Sequence, residues 1–236
     1  MTSARESEPR PALGLMGTIP VFWGEVGGVD DVLAAKSEPH WVRAELEADY
    51  QLAPIDYLDS DTLSRFAYIM LAQPRALSGE ENVALDAWVR RGGHLLLFAD
   101  PMMTGHSRFA LGDRRRPQDV TLLSPILDHW GLKMDFDPGE RPGIAVVEAA
   151  NLQIPVNLRG HFEQVGEPEN CILAADATLA HCAIGKGTAT ILADAAVLDL
   201  HAPDPRAPVA LRGLVNLAFG TSGEIAGTMA ARPAKE

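Results

Sequence analysis

The stretch from residue 66 to residue 99 constrains this chain more than any other. "FAYIMLA", residues 66–72, is an unbroken apolar run of strand length, and a strand without polar alternation is one buried on both faces, as parallel sheets require. A helix is written directly after it. Ser78 and Glu81 have the S-x-x-E spacing of a capping box, in which the serine oxygen takes an orphan N–H and the glutamate reaches back to the cap. Val83, Ala84, Ala87 and Trp88 then fall on one helical face, and Gly92-Gly93 permits a left-handed stop. A second apolar run, residues 94–99, completes a strand-helix-strand unit of right-handed crossover type.

The flanking sequence extends this unit. Residues 12–16 read as a buried strand, followed by the Gly-rich apolar segment "GTIPVFWGEVGG". Residues 30–36 and 40–49 read as helices, the second set off by Pro39, and residues 50–55 as a strand. Residues 121–130 read as a helix with Pro125 in its first turn. Short strands are then expected at 132–136, 144–147, 152–158, 172–174, 179–183 and 188–193, before a helix at 208–219 that Gly220 ends. The sum is an α/β fold: a mainly parallel open sheet with flanking helices and a β-rich insertion in its second half. One domain over residues 11–220 is expected, with the β-rich section at about 138–184, a disordered leader at 1–10 and a flexible tail at 221–236.

Charge excludes some partners. With 20 Lys plus Arg against 32 Asp plus Glu, the net charge of −12 opposes a nucleic-acid backbone or an anionic lipid surface. No run of about 18 apolar residues exists to span a membrane, and residues 1–10 lack the apolar core of a signal peptide. Cys171 and Cys182 are too few for a four-thiolate zinc site. A reversal centred on Asp176-Ala177 would set them opposite each other on neighbouring strands, close enough to bridge; the alternative is a pair of small buried side chains.

In open α/β sheets ligands lie beyond the carboxyl ends of the strands. That rule collects residues 16–25, residues 73–75 from Gln73 to Arg75, the loop "ADPMMTGHSRFALGDRRRPQD" and Asp194 along one rim. Asp100 and Asp194 each follow a strand and form a possible facing pair, able to bind a cation or share a proton; the plainer role of Asp100 is to accept amides of its own loop. "GHSRF" lacks the second glycine of a nucleophile elbow and lies well past the strand tip, so Ser107 is not a nucleophile. The 7 histidines form neither H-x-H nor H-E-x-x-H, which leaves zinc unsupported; His106, in the rim loop, is the one placed to act. Arg114, Arg115 and Arg116 lie between Asp113 and Asp119, a pattern for internal ion pairs or an anion site. "GKG", residues 185–187, lacks the rest of a phosphate loop and reads as a hairpin turn. Phe22 and Trp23 beside Glu25 could stack on a ring, pack on a partner, or simply cover the sheet end.

These segments resemble a known family. "YIMLAQPRALSGEENVALDAWVRRGGHLLLFADP" is similar to the ABC-transporter auxiliary domain of gliding-motility proteins and related transport components, in which an apolar strand, a Pro-containing turn, an "LS-x-E-E" helix, "GG" and a strand ending in "DP" follow in this order. "GKGTATILADAAVLDL" resembles its later strand element, with Ala193 and Ala195 where the family has Gly and Ser, and "LVNLAFG" its closing helix. The resemblance implies a flavodoxin-like sheet related to class I glutamine amidotransferases, usually held outside the cytoplasmic membrane beside an ABC transporter and working without known catalysis. Amidotransferase chemistry needs an elbow cysteine and a His-Glu pair, and neither cysteine follows a parallel strand. The favoured expectation is a non-catalytic extracytoplasmic accessory or binding module, its rim (Phe22, Trp23, Glu25, Gln73, Asp100, His106, Arg114) touching a transporter subunit or small ligand, without a cofactor. The rivals are a hydrolase or metal-dependent enzyme built on Asp100, His106 and Asp194, and a sugar- or peptide-binding protein with Phe22 and Trp23 lining its cleft.

Overall fold

A computed structural model describes residues 9–25, 40–110, 112–149, 151–166 and 169–220; the expected helix at 30–36 lies outside these, as do the tail and most of the leader. The strand-helix-strand unit forms as its sequence dictates. Strand β1 (Ala12–Gly17) is followed by helix α1 (Trp41–Glu47), strand β2 (Gln51–Pro54), a single turn α2 (Ser60–Leu63), strand β3 (Tyr68–Ala72), helix α3 (Gly79–Arg90) and strand β4 (His94–Phe98). Further on come α4 (Ser124–His129), β5 (Leu132–Phe136), β6 (Ala145–Ala149), β7 (Leu152–Val156), β8 (Gly160–Gln164), β9 (Asn170–Ala174), β10 (Leu179–Ile184), β11 (Gly187–Leu192), a 3₁₀ turn (Ala196–Leu198) and α5 (Ala207–Phe219).

A 7-stranded sheet has the order β2-β1-β3-β4-β11-β10-β9. The pairs from β2 through β11 are parallel, while β10 and β9 add an antiparallel edge. Alternation along the inner strands divides the apolar residues between two cores. Leu13, Met70, Leu96 and Phe98 face Val42 and Leu46 of α1 and Leu211 and Leu214 of α5. Ile69, Leu71, Leu95, Leu97 and Ile191 face Leu85, Trp88 and Val89 of α3 and Ile126 and Trp130 around α4. Mixed α/β with a mostly parallel sheet is therefore the fold class.

The structure corrects several expectations. The capping box forms, Ser78 Oγ accepting the Glu81 amide at 3.2 Å and Glu81 accepting the Ser78 amide at 2.9 Å. The buried face of α3, however, is Glu81, Ala84, Leu85, Trp88 and Val89, and Val83 points outward, 70 % exposed. Sequence periodicity placed the stripe one position off, because buried Glu81 is neutralised by a paired Arg75 fork at 2.8 Å and so belongs to the apolar side. Residues 121–123 precede α4 instead of joining it, with Pro125 held in the first turn. In the second half β5 pairs with β8 and β6 with β7, while β9 and β10 extend the main sheet. Strand β7 stops at Val156, since Leu158 adopts φ 56°. Cys171 and Cys182 stand opposite in the β9–β10 register and form a disulfide, so the bridged alternative is the one realised. The turn between them holds Ala175, Asp176 and Ala177 at φ 54°, 53° and 61°, and "GKG" closes the β10–β11 hairpin.

Candidate functional site

Because β1, β3, β4 and β11 run parallel, the segments following them converge on one edge. Gln73, one residue past β3, is fully buried and sits at φ 50°, a left-handed conformation that costs a non-glycine residue about 1 kcal/mol or more. Its side chain offsets that strain. Nε2 donates to the Asp100 and Gln118 carbonyls, each at 3.0 Å, and Oε1 accepts the Asp100 amide at 2.7 Å. Its carbonyl accepts the Thr18 hydroxyl at 2.6 Å, and Thr18 Oγ1 in turn accepts the Gln118 amide at 3.0 Å. One glutamine thus ties together the loops after β1, β3 and β4.

The two rim carboxylates are sealed. Asp100 is 1 % exposed and Asp194 0 %. Asp100 Oδ1 accepts the Met102 amide at 2.8 Å across Pro101, and Oδ2 accepts the Ala195 amide at 3.1 Å. Asp194 Oδ1 accepts the Ala196 amide at 2.6 Å, and Oδ2 the Asn157 amide at 2.8 Å. Each oxygen has a backbone donor, from its own loop, from the loop after β11 or from the loop after β7. Burial outweighs these bonds and pushes the Asp100 carboxyl up to about 7. Burial, and then the Asp100 charge beside it, raises Asp194 well above the ordinary carboxylate value.

A family model described as "ABC-type uncharacterized transport system" matches residues 11–167. The chain belongs to that family. No curated protein matches it. Among solved structures, the mmIFT52 N-terminal domain has a TM-score of 0.52 at 13% identity, covering 87% of this chain and 95% of that one; this likeness is one of fold alone. A putative ThuA-like protein from Bacteroides uniformis has a TM-score of 0.49 at 9% identity, over 92% of this chain and 94% of its own. Exo-beta-1,4-mannosidase Op5Man5 from an Opitutaceae bacterium has a TM-score of 0.46 at 12% identity, over 88% of this chain, which spans 34% of that enzyme.

In this ABC transport family member the remaining rim residues divide into tethers and exposed groups. Arg43 caps the Phe22 ring at 4.4 Å and donates to the Phe22 carbonyl at 2.8 Å. Trp23 stands edge-on to Phe22 at 4.7 Å and is 58% exposed. Glu25 is a tether: its Oε2 accepts the Arg108 amide at 2.9 Å and lies 3.1 Å from His201 Nε2. Burial pushes its carboxyl up, but Ser107, the Arg108 amide and His201 outweigh that and hold it below the usual range. His106 and Arg114 are exposed, and no hydrogen bond or ion pair joins either to Asp100 or Asp194 among the described residues. Arg115 pairs with Asp113 at 2.7 Å and lies 4.2 Å from the Phe109 ring centroid, while Arg116 reaches Asp119 at 3.4 Å. The sequence reading missed His201 and Gln118; the signal available for His201 was that a buried Glu25 requires a donor. Among the described residues, Asp135, His161 and Glu163 on β5 and β8 bring ligand atoms within 4.8 Å, but Lys133 Nζ already lies 2.6 Å from Asp135 and 3.8 Å from Glu163.

Proposed function

We propose that this chain is a non-catalytic accessory or binding module of an ABC transport system, working outside the cytoplasmic membrane on a flavodoxin-like scaffold. The observation that carries the reading is the state of the rim. Asp100 and Asp194, the groups best placed to react, are closed to water and committed to four backbone amides. A general base, nucleophile or metal ligand needs a lone pair within reach of substrate, and burial keeps those left on these carboxylates out of reach. What the rim loops present instead is apolar: Trp23 is 58% exposed, Leu122 58%, Val120 45% and Met102 40%. Large apolar side chains displayed on loops that a rigid sheet holds in place suit a protein contact.

Two further features support the reading. The Cys171–Cys182 disulfide fits an oxidising compartment. The order β2-β1-β3-β4-β11 is the doubly wound order of flavodoxin-like sheets. The test is site-specific photo-crosslinking in cells that carry the chain with its transporter. A photoreactive residue at Trp23 or Leu122 should give an adduct with an ATPase or permease subunit, and one at Val83, on the outer face of α3, should not. Equal labelling from all three positions, or none from the rim, would refute the proposal.

A further inference from the structure

At the amino ends of the same strands lies a cavity that the rim reading does not use. Its volume is about 270 Å³, and His94, His181, Lys186, Thr188, Asn170 and Ile172 form most of its wall. The sheet register builds it. His94 of β4 stands beside Thr188 of β11, and His181 of β10 stands beside Thr190 of β11. Residues 188 and 190 share one face of their strand, so the two imidazoles approach the same surface from opposite sides of β11. Each is pinned: His94 Nδ1 lies 2.9 Å from Thr188 Oγ1, and His181 Nδ1 lies 2.9 Å from Thr190 Oγ1.

That pinning leaves Nε2 of each ring without a protein partner among the described residues, although His181 is only 9 % exposed. Neither nitrogen is sealed off, so each is reachable at the cavity wall, where a ligand as well as water can bind it. Lys186, on the β10–β11 turn, makes no ion pair among the described residues and lines the same space. No carboxylate lines it, in a chain whose net charge is −12. Burial holds His94 below its ordinary pKa, and burial together with the neighbouring His94 does the same for His181. A negative charge entering the cavity would raise both values again.

We propose that this pocket binds a small ligand through an oxyanion, a phosphate or carboxylate group held between the Lys186 ammonium and the Nε2 edges of His94 and His181. The volume lies near the lower end of ligand pockets, about 300 to 1,000 Å³, which limits the ligand to a small molecule. Ile172, 39 % exposed, supplies apolar wall for its carbon frame. The disulfide braces that wall from behind, because Cys171 separates Asn170 from Ile172 on β9 and Cys182 separates His181 from Ala183 on β10.

The whole chain is titrated with inorganic phosphate and, separately, with succinate, and binding is followed by calorimetry and by the imidazole resonances. Saturable binding of at least one probe is expected, with the His94 and His181 signals moving together while that of His106, at the opposite end of the strands, stays fixed. Phosphate alone would assign a phosphorylated ligand, succinate alone a carboxylate. Lys186→Ala, in an exposed turn, should weaken binding at least tenfold with an unchanged urea midpoint. No saturable response to either probe, equal movement of His106, or an unaltered affinity in Lys186→Ala would overturn the proposal. None of these outcomes depends on what the rim binds.

Discussion

At the carboxyl ends of β4 and β11, two buried aspartates give every carboxylate oxygen to a backbone amide. At the amino ends of the same two strands, beside the antiparallel neighbour β10, two threonine-pinned histidines each keep a ring nitrogen in reserve at a cavity. Both ends bury polar groups, and burial alone therefore does not mark a functional site. The distinction is access. Where each oxygen holds a backbone amide and is sealed from water, the polar group fixes a loop; where a ring nitrogen lacks a protein partner and an open cavity lies next to it, a ligand can complete it.

Breaking the latch at the closed end should produce the largest effect. Gln73→Ala would leave the Asp100 amide and the carbonyls of Asp100 and Gln118 without their buried partner, a loss of about 3 kcal/mol or more in urea unfolding. A change under about 1 kcal/mol would mean that water replaces the latch and that the rim is not sealed. The disulfide tests the other end. Replacing Cys171 and Cys182, 11 residues apart, by alanine should cost roughly 2–3 kcal/mol. It should also weaken phosphate binding at the histidine pocket, because the edge strand β9 loses its brace, while crosslinking from Trp23 is retained. Equal loss at both ends would erase the contrast between them.

Much of the rim was legible in the sequence. The apolar runs around Leu71 and Leu97, the capping box and Asp100 at a strand tip are local signals, and parallel pairing follows from them. The role of Gln73 was not legible, because it comes from the simultaneous arrival of Thr18, Asp100 and Gln118, separated from it by as many as 55 residues along the chain. The histidine pocket was hidden for the same reason. His94 and Thr188 lie 94 residues apart, and no spacing rule connects them. The shifted face of α3 shows the converse limit: Ala84 and Trp88 are buried as expected, but Glu81 is buried with them, because a charged residue counts as polar in a periodicity reading until a partner such as Arg75 pairs with it.

The pH dependence should be more modest. The native state holds protons on Asp100 and Asp194 that the unfolded chain releases, so their contribution is present below the ordinary carboxylate range and lost as pH rises through about 7. Glu81, held down to about 2, acts in the opposite sense and contributes only above that range. Stability is therefore expected to peak near pH 5 and to fall by about 1–3 kcal/mol by pH 8. Asp194→Asn should flatten this decline in thermal unfolding; a decline that persists unchanged would place its origin elsewhere. The smallest stability effect belongs to Trp23→Ala, at most about 0.5 kcal/mol for an exposed side chain. That substitution should nonetheless remove the transporter adduct formed from Leu122, and retention of the adduct would move the contact away from this corner of the rim.

The carboxyl carbons of Asp100 and Asp194 provide the most direct test, followed by NMR across pH 3 to 9 with and without a divalent cation such as Mg²⁺. A closed, structural pair should titrate above the ordinary carboxylate range, Asp100 near 7, and the cation should leave both signals where they were. Ionisation of both below about 4, or displacement of either signal by the cation, would reveal an open acidic site and contradict the account.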